Sequence, residues 1–207
     1  EDLGNVLKIG AMTRHVDVET SNVVAEGIPE LAALAAKIGD RQVRNRGTIG
    51  GSIANNDPSA CYPAAALALD ATIHTNNRDI ASDDFFVGMY DTALEENEII
   101  TAVSFPKPSA AAYAKFPNPA SRYAIVGVFV AKGDIVRVAV TGAGEDGVFR
   151  HEGLETALNA SFAPEAIETV TVSSNELISD IHAAGDYRAH LVKEMTRRAV
   201  AACSSYL

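Results

Sequence analysis

The residue pattern of the chain changes at Lys107-Pro108-Ser109-Ala110-Ala111-Ala112, where proline and small residues cluster more clearly than anywhere else. Clusters of this kind are typical of connectors between structural units. The chain has 207 residues, which is enough for one large domain or for two small ones. We therefore predict two domains, residues 1–107 and residues 108–207.

Short helical and extended segments alternate in the first half. Apolar residues recur at helical spacing from Leu31 to Ile38, with Pro29 in the first turn and Gly39 at the end. We predict a loop from Asp40 to Pro58. The remaining predicted elements are a short strand leading into a turn over 6–13, a helix opened by Pro63, strands at 71–75 and 98–105, an Asn76-Asn77 hairpin turn, and a helical turn at 83–86 capped by Asp83 and Asp84.

The second half places strands before helices, which predicts an α+β unit. Residues 123–132 and 135–141 are rich in β-branched side chains, and Gly133-Asp134 between them is a hairpin signal. A third strand near 147–150 completes a predicted three-stranded antiparallel sheet. Helices are predicted near 152–159, 163–170 and 187–203, with Asp186 as the N-cap of the last.

Charge and hydropathy exclude several classes of function. The net charge of −10 argues against nucleic acid, because affinity for nucleic acid depends on Lys and Arg neutralising phosphates. No apolar run reaches the roughly 18 residues that a membrane span requires. The start of the sequence, Glu1-Asp2-Leu3-Gly4, lacks the charged and apolar regions of a signal peptide, so we expect a cytoplasmic protein.

The cysteine and histidine content predicts no metal site in this chain. Cys61 and Cys203 lie far apart, and an iron–sulfur cluster or structural zinc needs about four ligands. We expect both thiols to be reduced and at least one to be packed. The five histidines show no ligand spacing, and no local motif supports a catalytic triad, so no catalytic residue is assigned.

The segment Gly47-Thr48-Ile49-Gly50-Gly51-Ser52 carries the clearest chemical signal. Residues without side chains allow a ligand to approach the main chain, and they permit backbone angles that turn successive N–H groups to one side. The hydroxyls of Thr48 and Ser52 add hydrogen-bonding groups suited to phosphates. The segment does not match the G-x-G-x-x-G pattern of a Rossmann fold. On spacing alone, a tight structural turn explains it better than a nucleotide site does.

A longer pattern adds Ile9–Thr13, Ile38–Ser52, Asn56–Pro58, Asp84–Phe86, Glu98–Ile100, Tyr113–Phe116, Pro119–Ala124 and Tyr187–Leu191, in order along essentially the whole chain. This pattern resembles the FAD-binding, or medium, subunit of molybdenum hydroxylases of the carbon monoxide dehydrogenase and xanthine dehydrogenase type. The resemblance implies part of an FAD domain of the vanillyl-alcohol-oxidase (PCMH-like) type, followed by a small α+β domain.

The resemblance also implies cofactor-binding residues. Ile38 matches an apolar contact, Ile100 a residue whose backbone lies near the flavin, and Lys115 a lysine at the flavin. Many relatives have aspartate at Cys61, and the sequence begins after the glycine-rich segment that usually completes the FAD site. The loop residues that match are Thr48, Ile49, Gly50, Gly51 and Ser52.

The function implied is that of an electron-transfer subunit. A large partner would hold the molybdenum cofactor, a small partner would hold 2Fe–2S clusters, and FAD in this chain would pass electrons to an external acceptor, in a dimer of heterotrimers. The alternative is a truncated or cleaved fragment that docks to partners without binding FAD. A free-standing nucleotide-binding protein of another fold would require the downstream matches to be coincidental.

Overall fold

Each half of the chain contributes one four-stranded antiparallel sheet. A computed structural model describes residues 1–203. Its strands are β1 Val6–Gly10, β2 Thr72–Thr75, β3 Asp79–Ala81, β4 Phe86–Gly88, β5 Asp91–Thr92, β6 Ile100–Pro106, β7 Ala110–Pro117, β8 Ala124–Lys132, β9 Val136–Gly144 and β10 Gly147–Arg150. Its helices are α1 His15–Thr20, α2 Asn22–Gly27, α3 Pro29–Ala36, α4 Arg41–Arg46, α5 Ile49–Asn55, α6 Cys61–Ala68, α7 Ser82–Phe85, α8 Glu152–Ala160 and α9 Gly185–Cys203, with a 3-10 turn at Pro164–Ile167.

The first sheet has the order β1-β6-β2-β3, and β4 and β5 form a separate two-stranded ribbon. β6 pairs with both β1 and β2, so the last strand of this half lies inside the sheet. The predicted strands and the hairpin turn after Thr75 are confirmed. The first strand leads into a turn as predicted: β1 ends at Gly10, and Thr13 N–H bonds back to the Gly10 carbonyl.

The second sheet has four strands in the order β10-β9-β8-β7, not the three predicted. The additional strand is β7, which begins at Ala110 inside the predicted connector. Its alanines pair with Lys132, Ala131 and Val130 of β8. Small side chains suggest a connector locally, but here pairing with β8 decides the conformation. The true connection is therefore only the few residues after Pro106.

Both faces of the second sheet are buried, and each face belongs to a different core. Along β8, Val126, Val128 and Val130 pack with α8 and α9. Phe129 and Ala131 face the opposite way, into the core that includes α3, α5 and α6 of the first half. The period-two alternation of a strand divides its side chains between the two cores in this way. The second half of the chain thus packs directly on the helices of the first.

The predicted loop from Asp40 to Pro58 is wrong, because most of it forms α4 and α5. The side chain of Asp40 accepts a hydrogen bond from Val43 N–H at 2.9 Å and begins α4. Thr48 accepts one from Gly51 N–H at 3.2 Å and begins α5. Asn56 ends α5 in the left-handed conformation at φ 42°. Polar caps, which satisfy free backbone groups at helix ends, account for much of the polar content that suggested a loop.

Three further capping and helix predictions are corrected. Asp83 and Asp84 lie inside α7, whose N-cap is Ala81, and Asp83 instead pairs with Arg137 and Arg150. The last helix begins one residue before Asp186, whose carboxylate accepts from the next backbone amide. The predicted helix at 163–170 is a single 3-10 turn at Pro164–Ile167.

Candidate functional site

A cavity of about 180 Å³ brings together three of the predicted cofactor residues, Ile38, Ser52 and Lys115. Ile38 follows α3, Ser52 lies within α5 and Lys115 lies within β7. The cavity is therefore formed by elements far apart in sequence. We call it the central cavity. Its other lining residues are His15, Gly39, Val43, Asn55, Asp57, Ser59, Ala60, Cys61, Ser121, Arg122 and Tyr123.

Two further cavities adjoin the central cavity. One of about 570 Å³ shares Gly39, Lys115 and Arg122 with it. The other, of about 420 Å³, is lined by residues that include Asp57 and Tyr123. Ligand sites typically have volumes of about 300–1,000 Å³, so the central cavity is too small for a dinucleotide without its neighbours. The three together form a trough around the β7–β8 turn.

The two adjacent glycines of α5 have different structural roles. A Cβ on Gly50 would lie 2.5 Å from Ala11 Cβ, so only glycine allows this close packing. Gly51 is exposed, and a Cβ there would meet only Thr48 Oγ1, at 2.9 Å. Gly51 therefore leaves the helix surface open beside Ser52. Close packing against Ala11 explains the first glycine. At the second, the missing side chain leaves the surface of α5 open.

The amide groups of this segment are already paired within the chain. Gly50 N–H donates to the Ala11 carbonyl at 2.9 Å, and Gly51 N–H donates to the Thr48 hydroxyl at 3.2 Å. The expectation that both glycine amides point freely at a ligand is therefore not met. Of the two predicted hydroxyl residues, Ser52 is the one that lines the central cavity.

Ile49 and Ile100 lie outside the lining of the central cavity. Ile49 is fully buried in the core of the first half. Ile100 begins β6, opposite Thr75. The next residue, Thr101, accepts the amide of Ala11, whose carbonyl in turn accepts the amide of Gly50. The start of β6 is thus linked to α5 through one residue, although its side chain does not reach the cavity.

Lys115 is held at the boundary of two cavities by hydrogen bonds to two elements. Its Nζ donates to the Lys37 carbonyl at 2.9 Å and to Cys61 Sγ at 3.5 Å. Lys37 Nζ donates in return to the Tyr113 carbonyl at 2.9 Å, and it lies 5.6 Å from the Tyr113 ring centroid. Burial lowers the pKa of Lys37; the nearby Cys61 raises it and the charge of Lys115 lowers it further. The two lysines therefore clasp the end of α3 to β7.

His15 is a cavity residue that the sequence did not reveal. It is 5% exposed, and its Nδ1 has no hydrogen-bond partner. Burial lowers its pKa, and the charge of Arg44 lowers it further, so the imidazole is neutral at neutral pH. A Cβ on Gly47 would collide with the imidazole ring. This contact joins residues far apart in sequence, and no local pattern around His15 indicates it.

The arginines before the glycine pair are ion-paired or exposed. Arg44 donates to Glu19 at 2.7 Å and to the Ile38 carbonyl at 3.1 Å. Arg41 and Arg46 are exposed. The free, buried state expected of Cys61 and Cys203 is confirmed. Across residues 1–203, no group of three or more His, Cys, Asp or Glu side chains has the arrangement of a metal site.

Comparison with known proteins identifies the family. Residues 1–108 match the model of the FAD binding domain in molybdopterin dehydrogenase. The chain belongs to this family. It is an FAD-binding subunit of the molybdenum hydroxylase type, and therefore part of an oxidoreductase, as the resemblance predicted. Nowhere in the described 203 residues is a helix long and apolar enough to cross a membrane.

Similar proteins extend the match over the whole chain. The nicotine 6-hydroxylase medium subunit of Paenarthrobacter nicotinovorans is 35% identical, over 97% of this chain and 76% of the relative. The carbon monoxide dehydrogenase medium chain of Hydrogenophaga pseudoflava is 33% identical, over 95% of this chain and 74% of the relative. A solved structure of carbon monoxide dehydrogenase from the same organism superposes with a TM-score of 0.90 at 33% identity, over 99% of this chain and 77% of its counterpart. The predicted mixed fold is confirmed.

The residues around the trough suit FAD chemically. Ile38 provides an apolar surface for a ring system, and Ser52 provides a hydroxyl. Lys115 and Arg122 provide cations where two cavities meet. The unpartnered Nδ1 of His15 is a buried polar atom without an internal partner on a residue that lines the central cavity. A cofactor with anionic phosphates and a flat, polar-edged ring matches this set of groups.

Proposed function

We propose that this chain is the FAD-carrying electron-transfer subunit of a multisubunit molybdenum hydroxylase. The observation that carries the proposal is the convergence of Ile38, Ser52 and Lys115 on one cavity in a chain of the FAD-binding family. Bound FAD supplies the redox chemistry, and the protein supplies its placement and electrostatic environment. The family match across residues 1–108 favours this role over that of a docking fragment without cofactor.

Each predicted residue has a defined part in the proposed site. Gly51 leaves space on α5, and the Ser52 hydroxyl bonds the cofactor. Ile38 contacts the ring system, and the backbone at Ile100 lies near the flavin. Lys115 stabilises the negative charge that the ring gains on reduction. Three residues shape the start of α5 rather than contact the ligand through a side chain: Thr48 as cap, Ile49 as core residue and Gly50 as packing contact.

The partners proposed are a large subunit with the molybdenum cofactor and a small subunit with 2Fe–2S clusters, assembled as a dimer of heterotrimers. The relatives named as medium subunit or medium chain support a multisubunit assembly. Electrons enter from the clusters and leave to an external acceptor. The organic substrate then never contacts this chain, in line with the absence of an assigned catalytic residue. A cytoplasmic location remains part of the proposal.

The substitution Gly51→Val tests the cofactor site. Gly51→Val places a branched side chain on the open face of α5, so we expect FAD occupancy to fall at least tenfold, equivalent to about 1.4 kcal/mol of binding free energy. Occupancy is measured as released-flavin fluorescence per mole of purified complex. Gly153→Val is the matched control, because Gly153 is an exposed glycine near the start of α8, outside the trough. Unchanged FAD content in Gly51→Val would overturn the site.

Removal of the Lys115 charge tests the electrostatic role. Without the ammonium, negative charge on the reduced ring is less stabilised, so we expect Lys115→Met to lower the flavin midpoint potential. The measurement is a potentiometric titration of the complex. Lys132→Met is the control, because Lys132 lies on the neighbouring strand β8 with its Nζ over the Phe162 ring. A potential that is unchanged or raised in Lys115→Met would place that lysine away from the flavin.

A further inference from the structure

Cys61 occupies an unusual position for a buried thiol. It is the first residue of α6, only 4% of it is exposed, and it lines the central cavity. Its sulfur accepts a hydrogen bond from Lys115 Nζ at 3.5 Å. The second cysteine of the chain, Cys203, is fully buried in the other core, and burial raises its pKa to about 12. The two thiols therefore differ in access and in neighbours.

Two further buried polar groups accompany Cys61. The Tyr113 hydroxyl, on a residue that is 6% exposed, lies beside the thiol. Burial raises the pKa of Tyr113, and the charge of Cys61 and a hydrogen bond with it raise that pKa further. His15 Nδ1, on a residue that lines the same cavity and is 5% exposed, has no hydrogen-bond partner. Buried polar atoms normally have partners, so His15 Nδ1 is available to a group that the chain itself does not provide.

The hydrogen bonds of Lys115 indicate what Cys61 does. An ammonium has three N–H donors. Two of them are used, by the Lys37 carbonyl and by Cys61 Sγ, which fixes the direction of the third. Lys115 also lies where the central cavity and the largest adjoining cavity meet. The sulfur thus determines where the cation of the proposed flavin site points.

We propose that Cys61 is the positioning residue for Lys115 and that its thiol is a modification site that bound FAD covers. This inference rests on the proposed function, because it assumes that the central cavity receives part of the cofactor. Small electrophiles that enter the empty cavity reach the sulfur. In alkylation by iodoacetamide, the sulfur forms a bond to the CH₂ carbon, iodide leaves with the C–I electron pair, and the thiol proton passes to solvent.

The first test is site-resolved alkylation of the complex before and after removal of FAD, read as labelled peptides by mass spectrometry. We expect iodoacetamide to label Cys61 at least tenfold faster in the FAD-free complex, while Cys203 stays slow in both forms. The Lys115 ammonium stabilises negative charge on the attacking sulfur, so Lys115→Met slows labelling of Cys61 and leaves Cys203 unchanged. Equal labelling of Cys61 with FAD bound and removed overturns the inference, even where FAD content supports the proposed function.

The second test separates positioning from mere packing. We expect Cys61→Ala to lower the flavin midpoint potential, by less than Lys115→Met does, because the ammonium loses one of its two anchors. Cys61→Ser retains an acceptor and restores most of the potential. In the Lys115→Met background, Cys61→Ala has no further effect, since residues that act through one another are not additive.

The outcomes of the second test are distinct. One contrary outcome is that the double variant shows the full additional shift of the flavin midpoint potential. The other is that Cys61→Ala has the same potential as the parent protein. Either outcome shows that Cys61 does not act through Lys115 and overturns the inference. FAD content of the complex judges the proposed function, and the potential of Lys115→Met alone judges whether that lysine lies at the flavin, so the failures are recognised separately.

Discussion

Adjacent residues of one motif serve different purposes in this protein. Gly50 is required because Ala11 leaves no space for a Cβ, whereas Gly51 faces outward with only Thr48 Oγ1 nearby. A glycine pair in a sequence does not distinguish these cases, because both demands select the same residue. Substitution by alanine separates them: it forces a backbone contact at Gly50, while at Gly51 it only displaces a side-chain hydroxyl.

Arg188 is a buried residue whose role is structural. It is 3% exposed, and its guanidinium donates to the carbonyls of Ile125 and Gly142, each at 2.6 Å, and to Asp180 at 2.8 Å. The two carbonyls belong to neighbouring strands, β8 and β9. The single side chain of Arg188 therefore links α9 to both strands, in addition to the apolar packing of the helix.

We predict that Arg188→Met destabilises the protein by roughly 3 kcal/mol, because it leaves buried acceptors unsatisfied. Urea denaturation measures the loss. Arg197→Met is the control, because its ion pair with Glu194 is exposed and contributes about 1 kcal/mol or less. Equal stability of the two variants would show that the carbonyls of β8 and β9 find other partners.

At the scale of elements, the turn after β2 is fastened to the start of β6 by Glu98. The Glu98 carboxylate accepts from Arg78 Nε at 3.1 Å, from Glu95 N–H at 2.8 Å and from the Thr75 hydroxyl at 2.7 Å. Arg78 first, then the Glu95 amide and Thr75, lower the pKa of Glu98 to about 2. The first sheet therefore depends on an ionised carboxylate.

This arrangement predicts a defined pH dependence. The folded pKa of Glu98 lies below the unfolded value of about 4.3, so its stabilising effect is complete above about pH 4.3 and is lost as the pH falls toward 2. Glu98→Gln lowers the thermal midpoint at neutral pH and flattens its decline between pH 4 and 2. Glu96→Gln, at an exposed neighbour, is the control. The prediction would be contradicted if the thermal midpoints of Glu98→Gln and the parent protein declined in parallel between pH 4 and 2.

The sequence predicted elements better where local signals determine the structure. The helix before Gly39 and the strands of the second sheet follow periodicity and β-branched content. β7 was not included in the predicted sheet because the alanines at its start carry little strand preference, and its place depends on pairing with β8. α4 and α5 were missed although Asp40 and Thr48 are good cap residues, since glycine and amide content outweighed that signal.

The site was predictable in part for a similar reason. Resemblance to a family assigned Ile38, Ser52 and Lys115 to one cofactor, and all three line one cavity. The contributions of His15 and Cys61 depend on packing between α1, α6 and the start of α5, which no local pattern encodes. The interpretation of the glycine amides was wrong because an N-cap and a carbonyl of Ala11 already use them.

At the scale of the whole molecule, the two halves share a core. Phe129 of β8 is fully buried among residues of the first half and lies 6.1 Å from the Tyr113 ring in a stacked arrangement. The proposed division into domains 1–107 and 108–207 therefore describes the order of elements along the chain. It does not predict independent unfolding.

We predict that Phe129→Ala destabilises both halves together, by about 3 kcal/mol, through the cavity it creates. Hydrogen exchange followed by mass spectrometry resolves the two halves, and peptides from each are expected to lose protection in parallel. Ile135→Ala, at a residue that is 54% exposed, changes stability by about 0.5 kcal/mol or less. Loss of protection confined to residues after 108 would show that the halves unfold separately.

The clasp formed by Lys37 and Lys115 has a consequence for recognition. Each ammonium is tethered to the backbone of the other element, so the gap between α3 and β7 has a set width before any ligand arrives. Binding of a ligand in this gap then requires little rearrangement of the protein. Less conformational entropy is lost than on binding between mobile elements. For the proposed cofactor site, we expect capture to be governed by shape and charge, with no hinge motion at this edge.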